Sequence, residues 1–391
     1  MKSIVMKAAV GVLKVAYVPF RLLPKRNKIT FLSRQSNEPT ADIALLSDYM
    51  GEKYPDIEIC ILAKKLSGAG YVFHVVRQLY HIATSKVLVL DSYCIPACCL
   101  KHKEGTRVLQ MWHASAAIKQ FGYQTIGKAE GHSAETAQIM CMHRNYDYVT
   151  CPSEATGRLF CQGFNVDSSV LRFLALPVID TITEPDPQLA ADMRREYGLD
   201  EEPCEGKETV LYVPTMRRLK DVDIRPLIEN FDFDRFNLVV KLHPLNNNIG
   251  DRAALDDLVR SAGGHPSQLI TGSGHKSFDW IGVCDRIITD YSALGVEGSL
   301  AGKPLYYYVY DIDEYLEQVG LNINPLEEMP SCSAVTSEEL MQIMKAEYDF
   351  DALGRFRDRY FRVPVTECTR RMAEFIAGLT EGRDTCRGGD Q

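Results

Sequence analysis

Residues 286–315 read RIITDYSALGVEGSLAGKPLYYYVYDIDEY. A short apolar run, Arg286 to Thr289, breaks at Asp290-Tyr291-Ser292. Small and apolar residues continue to Ala301, and Gly302-Lys303-Pro304 leads into a second strand-like run from Leu305 to Tyr310. The pattern is strand, helix, strand. In an open α/β sheet the carboxyl end of a strand and the start of the next helix form a natural anion site, because unpaired backbone N–H groups point outward there. Ser292 occupies that corner. Taken alone, the stretch also suits an ordinary βαβ unit with a serine N-cap.

Three further stretches combine with it. Gln110-Met111-Trp112-His113-Ala114-Ser115, Tyr212-Val213-Pro214-Thr215-Met216-Arg217 and Lys241-Leu242-His243-Pro244 follow one another in the chain, each at the end of an apolar run. With these residues in view, the chain resembles the CDP-glycerol glycerophosphotransferase family, which includes the teichoic acid glycerol-phosphate and ribitol-phosphate polymerases. That family shows Gln-x-Trp-His-Gly/Ala, Pro-Thr-x-Arg and Leu-His-Pro motifs and a Thr-Asp-Tyr-Ser segment ending in Gly-Lys-Pro. The resemblance runs from about Lys28 to Ile376, and four ordered motifs are far more specific than one.

The resemblance implies transfer of a polyol phosphate from a CDP-polyol to an acceptor hydroxyl, with CMP leaving. Such chemistry needs a base, surroundings rich in positive charge or N–H groups for the diphosphate, and positioning of both substrates. His113 matches the family's catalytic histidine and ends a strand, where such sheets hold their ligands; its other reading is a cap for the next helix. His243 matches the second functional histidine, implying contact with the diphosphate and proton donation to the leaving phosphate, or else a structural strand-end residue. Ala114, Ser115 and Lys119 follow the first motif, and Lys119 either faces a phosphate or is simply solvated. The loop lacks the glycines of the family's versions, which leaves glycerol and ribitol both open. Pro214, Thr215 and Arg217 are placed on the donor side, where an arginine's planar donors match phosphate oxygens in pairs. Lys241 shares a strand face with His243. Ser292 and the N–H groups after it would take the diphosphate, with Ala293 where the family repeats serine. Glu297, replacing a family Asp, would accept from ribose or polyol hydroxyls, and Asp290 is either structural or a metal ligand. At Val178 the family has an arginine that contacts substrate, so either Arg172 or another cation compensates or the donor differs.

Composition bounds this reading. With 391 residues, 46% of them hydrophobic, the chain can bury two ordinary cores. No uncharged apolar run of about 18 residues exists, which argues against a conventional spanning helix. The 12 cysteines form no CxxC pair, and they suit reduced core residues better than a zinc clamp or a disulfide framework. Residues 1–37 carry eight basic side chains and no acidic one, whereas the remaining 36 basic residues face 52 acidic ones. Lys7, Lys14 and Arg21, seven apart, fall near one face of a helix whose other faces carry Ile4, Val5, Val12, Leu13, Val15, Phe20 and Leu22. Such a helix suits a membrane interface with its cations towards anionic headgroups; a helix packed on the protein and a signal peptide are the alternatives.

Beyond Pro24, apolar runs alternate with segments of helical spacing. The runs are Ile29 to Ser33, Ile57 to Ala63, Val87 to Asp91, Val108 to His113, Tyr146 to Pro152 and Leu171 to Leu176; then Val210 to Pro214, Leu238 to His243, Leu269 to Thr271, Ile287 to Thr289 and Leu305 to Tyr310. This predicts two doubly wound, Rossmann-like sheets. The expected divisions are an amphipathic membrane-associating segment over 1–25, an acceptor domain over 26–182, an acidic linker over 183–208, a CDP-donor domain over 209–380 and a disordered tail over 381–391. The resemblance supplies the GT-B arrangement, two such domains facing a cleft.

The resulting reading is a peripheral enzyme on the cytoplasmic membrane face, moving glycerol or ribitol phosphate from a CDP-polyol to a lipid-linked wall or capsular glycopolymer. No cofactor is called for, and a divalent metal is left open. The rivals are a GT-B glycosyltransferase using a nucleotide sugar and a catalytically silent membrane-bound scaffold. The basic head lacks a nucleic-acid motif, so nucleic acid is not an expected partner.

Overall fold

The computed structural model describes residues 2–65, 70–128, 131–215, 217, 221–242, 250–271 and 274–383. They form two compact units, one of residues 1–179 with 361–391 and one of residues 180–360.

The first unit holds a six-stranded sheet: β1 (Lys28–Ser33), β2 (Glu58–Ala63), β3 (Val87–Leu90), β4 (Arg107–Gln110), β5 (Tyr148–Cys151) and β6 (Leu171–Phe173). Its order is β2-β1-β3-β4-β5-β6, and every pairing is parallel. β1, β3 and β5 are buried along their whole length, as a parallel sheet covered on both faces requires, which is why these strands read as continuous apolar runs. The second unit holds β7 (Glu208–Val213), β8 (Phe236–Val240), β9 (Leu269–Thr271), β10 (Arg286–Thr289), β11 (Leu305–Tyr308) and β12 (Ser333–Ala334), ordered β12-β11-β10-β7-β8-β9, again all parallel. Every predicted strand is present within a few residues. Among the described residues only β12 lies outside the sequence reading, and two residues carry too little pattern to be seen.

Both orders reverse once. In the first unit the chain steps from β1 to β2 and then crosses to β3 on the other side of β1. In the second it steps from β7 through β8 to β9 and then crosses to β10 beside β7. Helices leaving the two strands at such a reversal go to opposite faces, which opens a crevice at the carboxyl ends.

Three expected divisions differ from what is observed. The last helix, Cys368–Thr380, belongs to the first unit and not to the donor half. It packs on the helix Ala41–Lys53, with the Phe375 ring edge-on to Tyr148 at 5.6 Å, and the Arg362 N–H donates to the Pro152 carbonyl at 2.8 Å. Its apolar face needed a partner, and sequence position could not say which unit supplied one. The acidic stretch 183–208 is not a free linker: Met193, Leu199 and Cys204 are buried in the second unit, and its helix Pro187–Glu196 packs on Ser277–Val283. Acidic residues merely occupy its solvent side.

The N-terminal helix, Lys2–Arg21, is partly docked. Val10 and Tyr17 are buried, with Leu13 and Phe20 against the same core, while Ile4, Val5, Val12, Val15, Val18 and Leu22 face outward. Ser3–Leu22 has a mean hydropathy of 1.5 and is long and apolar enough to cross a bilayer, so the lack of an uncharged run does not by itself exclude a span. Of the expected tail, residues 384–391 lie outside the described residues.

Return of the C-terminal helix to the first unit gives a stability test. Phe375→Ala removes a ring that is 1% exposed and should cost about 3–5 kcal/mol, read as an earlier urea transition. An unshifted midpoint would place that helix elsewhere.

Candidate active site

In the first unit the chain turns sharply after β4. Trp112 takes φ +63°, a left-handed backbone that bulky residues rarely adopt, and this sets His113 beside the ends of β1 and β3. His113 Nδ1 lies 2.8 Å from the Asp91 carbonyl oxygen and 2.9 Å from the Gln35 side-chain amide. A carbonyl can only accept, so Nδ1 must carry the hydrogen; Gln35, with its amide oxygen turned inward, can share it. The lone pair is therefore on Nε2. The surrounding protein pushes His113 below its ordinary pKa; the Asp91 carbonyl opposes this shift and the charge of Lys119 adds to it. His113 is an exposed, neutral imidazole with its acceptor nitrogen directed away from its anchor.

The surrounding residues sit at the reversal between β1 and β3. Asp91, 1% exposed, accepts from the Thr40 hydroxyl at 3.2 Å, and burial raises its pKa, with hydrogen bonds from Ser33, Ser92 and Thr40 pulling the other way. Arg34 donates from Nη1 to the Tyr93 carbonyl at 2.7 Å. Ala114 and Lys119 are partly exposed, whereas Ser115 is buried and engaged within the protein. Val178 is buried, and its N–H donates to Asp42 Oδ1 at 2.8 Å. Arg172 does not stand in for the missing cation there. It bonds the carbonyls of Ser169 and Leu171 and lies 4.5 Å over the Tyr148 ring.

The second unit gathers its polar residues at the reversal between β7 and β10. Asp290 Oδ1 accepts from the N–H groups of Thr215 at 2.8 Å and Tyr291 at 2.5 Å, so it ties the ends of the two strands together. Of the two roles left open for it, the structural one fits these bonds. Among the described residues no group of three or more His, Cys, Asp or Glu side chains could hold a metal.

Arg217 departs from expectation. It is 7% exposed, and its Nε and Nη2 grip Asp311 at 3.0 and 3.1 Å. Nη2 also lies 3.0 Å from Asp290 Oδ2, an ion pair with poor hydrogen-bond alignment, and Nη1 donates to the Thr215 carbonyl at 2.9 Å. The Tyr291 and Tyr315 rings, stacked at 4.0 Å, lie 5.2 and 5.0 Å from the guanidinium. Burial works against the charge, but Asp290 and then Asp311 outweigh it and hold the arginine protonated. Three of its five N–H groups donate to protein oxygens and its charge is shared with Asp290 as well, so its main work is to brace the crevice and not to clamp a phosphate.

The remaining expected residues form a rim. Ser292 is partly exposed; its hydroxyl oxygen accepts from the Leu294 N–H at 3.3 Å, which leaves its hydrogen to donate. Ala293 is partly exposed and Pro214 buried. Thr215 is 5% exposed, and its hydroxyl has no partner among the described residues. Lys241 follows β8, and burial lowers its pKa while Asp279 raises it. Glu297 is only 4% exposed and engaged within the protein, so its carboxylate does not sit on an open surface as expected for a sugar-hydroxyl acceptor. His243 lies outside the described residues. Sequence reasoning missed Gln35, Asp91, Asp311, Tyr291 and Tyr315. For Asp91 and Asp311 a signal existed, since each ends an apolar run leading out of a strand.

Arg217→Ala should destabilise the protein by about 3–5 kcal/mol, because two carboxylates would stay buried without their cation. Thermal unfolding checks this; wild-type stability combined with lost donor binding would restore the phosphate-clamp reading.

Residues 15–378 match the family described as CDP-Glycerol:Poly(glycerophosphate) glycerophosphotransferase. The teichoic acid ribitol-phosphate primase of Bacillus spizizenii is 25% identical over 98% of this chain and 100% of its own. The teichoic acid glycerol-phosphate primase of Bacillus subtilis is 24% identical over 84% of this chain and 82% of its own. Among solved structures, the wall teichoic acid polymerase TagF, as its H444N variant, superposes with a TM-score of 0.73 at 16% identity, covering 97% of each chain. That similarity carries the fold, which is α/β with two parallel sheets, GT-B-like. A family match over nearly the whole length makes this chain a member of the CDP-glycerol:poly(glycerophosphate) glycerophosphotransferase family.

Proposed function

We propose that the protein transfers glycerol phosphate or ribitol phosphate from a CDP-polyol to the hydroxyl of a lipid-linked glycopolymer, releasing CMP. The observation that carries this is the fixed tautomer of His113: an exposed imidazole whose Nδ1–H is taken up by a backbone carbonyl has only Nε2 with which to accept a proton. In the reaction the acceptor oxygen forms a bond to the phosphorus next to the polyol, and the bond from that phosphorus to the CMP oxygen breaks. The hydroxyl proton passes to Nε2, and CMP departs with the electron pair. Thr215, Ser292 and Lys241, at the ends of β7, β10 and β8, are suited to the diphosphate. The donors named for relatives support the choice of CDP-polyol, since TagF has been soaked with CDPG and the primases are named for glycerol phosphate and ribitol phosphate.

We also place the protein at the cytoplasmic face of a membrane, bound to an anionic surface. The support is the outward apolar face of Lys2–Arg21 beside exposed Lys7 and Lys14, together with the neighbouring helix Gly70–Thr84, which exposes Val72, Phe73 and Val76. Apolar side chains can enter the headgroup boundary while the lysines meet anionic lipid.

Purified protein should release CMP from CDP-glycerol or CDP-ribitol and nothing from UDP-sugars; UDP release would put a glycosyltransferase in its place. His113→Ala should lower kcat by about 10²–10⁴-fold while donor binding persists, and undiminished turnover would favour a scaffold. Because its pKa is lowered, His113 stays neutral through pH 7. The acid limb of kcat/KM should accordingly fall below the ordinary histidine value of about 6.5, and a limb above it would contradict the base assignment. Co-sedimentation should favour anionic over zwitterionic vesicles, weaken about fivefold for each of Lys7→Gln and Lys14→Gln, and weaken again with Phe73→Ser. Equal binding by all variants would remove the membrane assignment.

A further inference from the structure

The left-handed turn at Trp112 is held by a buried chain of hydrogen bonds that leads away from His113. The Trp112 N–H donates to Gln110 Oε1 at 2.9 Å. A backbone N–H can only donate, so this contact fixes which end of the amide is oxygen. The Gln110 nitrogen then donates to the Ser92 carbonyl at 3.3 Å and to the Tyr146 hydroxyl oxygen at 3.0 Å. The Tyr146 oxygen also accepts from the Cys98 thiol at 3.8 Å, so with both lone pairs engaged its own hydrogen goes to His143 Nδ1, 2.9 Å away. His143 is therefore neutral with its hydrogen on Nε2, the opposite tautomer to His113. Gln110, Tyr146 and His143 are 0, 7 and 5% exposed, so water does not readily replace any link.

Ring packing closes the circuit. The Trp112 ring lies 4.2 Å from His113, 5.1 Å from both Phe121 and Phe164, and 6.0 Å from His143. Phe121 reaches this cluster because residue 163 is glycine; a Cβ there would come within 2.2 Å of its ring. The loop that carries His143 is itself strained, with Cys141, His143 and Asn145 all at positive φ, and it is pinned by the Asn145 amide to the carbonyls of Cys98 and Leu100, each at 2.9 Å. Non-glycine residues persist in such conformations only where their surroundings over-determine them. Here two strained segments are joined by one polar chain and one aromatic stack, next to the imidazole assigned as base.

We infer that Gln110, Tyr146 and His143 are positioning residues: their directed hydrogen-bond chain holds the Trp112 turn and through it sets the place and angle of the His113 ring. The inference rests on the polyol-phosphate transfer reading for its kinetic consequence but not for its structural one. Displacing a reacting group by about 1 Å can cost a hundredfold in rate without touching substrate affinity.

Long-range ¹H–¹⁵N spectra of imidazole-labelled protein at pH 7, assigned with single His→Gln variants, read the tautomers directly. His143 should appear as the Nε2–H form and His113 as the Nδ1–H form; His143 as Nδ1–H or doubly protonated overturns the chain. Tyr146→Phe removes one oxygen and keeps the ring. It should shift the His113 ring signals and lower kcat by about ten- to a hundredfold, with KM for the CDP-polyol changed by no more than about twofold. A folded Tyr146→Phe protein with wild-type kcat and unmoved His113 signals overturns the proposal. If that variant does not fold, the wild-type tautomers still decide. Should wild-type protein release CMP from no CDP-polyol, the transfer reading fails, and the tautomers and His113 shifts judge the positioning role independently.

Discussion

The hydrogen bond from His113 Nδ1 to the Asp91 carbonyl determines what the first unit can do. An imidazole at a strand end could offer either nitrogen, or cap a helix, or fold back on the sheet. Once one nitrogen is committed to a backbone oxygen, the ring's chemistry is reduced to a single lone pair with a known direction. The backbone supplies that constraint because parallel strands finish together, so the carbonyl after β3 lies beside the loop after β4. Protein around the ring and the nearby Lys119 then disfavour a second proton, keeping the ring neutral at neutral pH.

The two sheets meet the same problem in different ways. A parallel sheet buries both faces and leaves polar work to its ends. In the first unit the end at the β1/β3 reversal is lined by Asp91, Ser92 and Ser33, with Gln35 and His113 above them. In the second, the β7/β10 reversal is braced by an arginine between two carboxylates, and Asp290 stitches one strand to the next through two N–H groups. Buried charge of this kind is tolerated only when it is paired, and the brace fixes the spacing of the strand ends beside Ser292 and Thr215.

Strain and packing are arranged about the same point in the first unit. The Trp112 turn is costly for the backbone, and what repays the cost is an aromatic stack plus a side-chain hydrogen-bond chain running back beneath the sheet end. The motif reads as a contiguous Gln-x-Trp-His in sequence, yet its glutamine is fully buried. It acts inward, on the turn, while the histidine acts outward.

The sequence by itself determined the alternation of strand and helix, because apolar runs of strand length bounded by turn residues have few other solutions. Among the described residues, eleven of the twelve strands were legible for that reason, and so were the strand-end positions of His113, Thr215, Lys241 and Ser292, which follow from where each run stops. Tertiary structure alone decided which groups those residues would meet. Arg217 carries the same guanidinium whether it faces a phosphate or two carboxylates, and only the placement of Asp311, 94 residues further on, directs it inward. Glu297 likewise became a core residue because its helix packs tightly on β10 and β11, with no room for a Cβ at Gly295 beside Tyr307. The last helix returned to the first unit for a similar reason: an amphipathic pattern announces that a face must be covered, but it carries no record of what covers it.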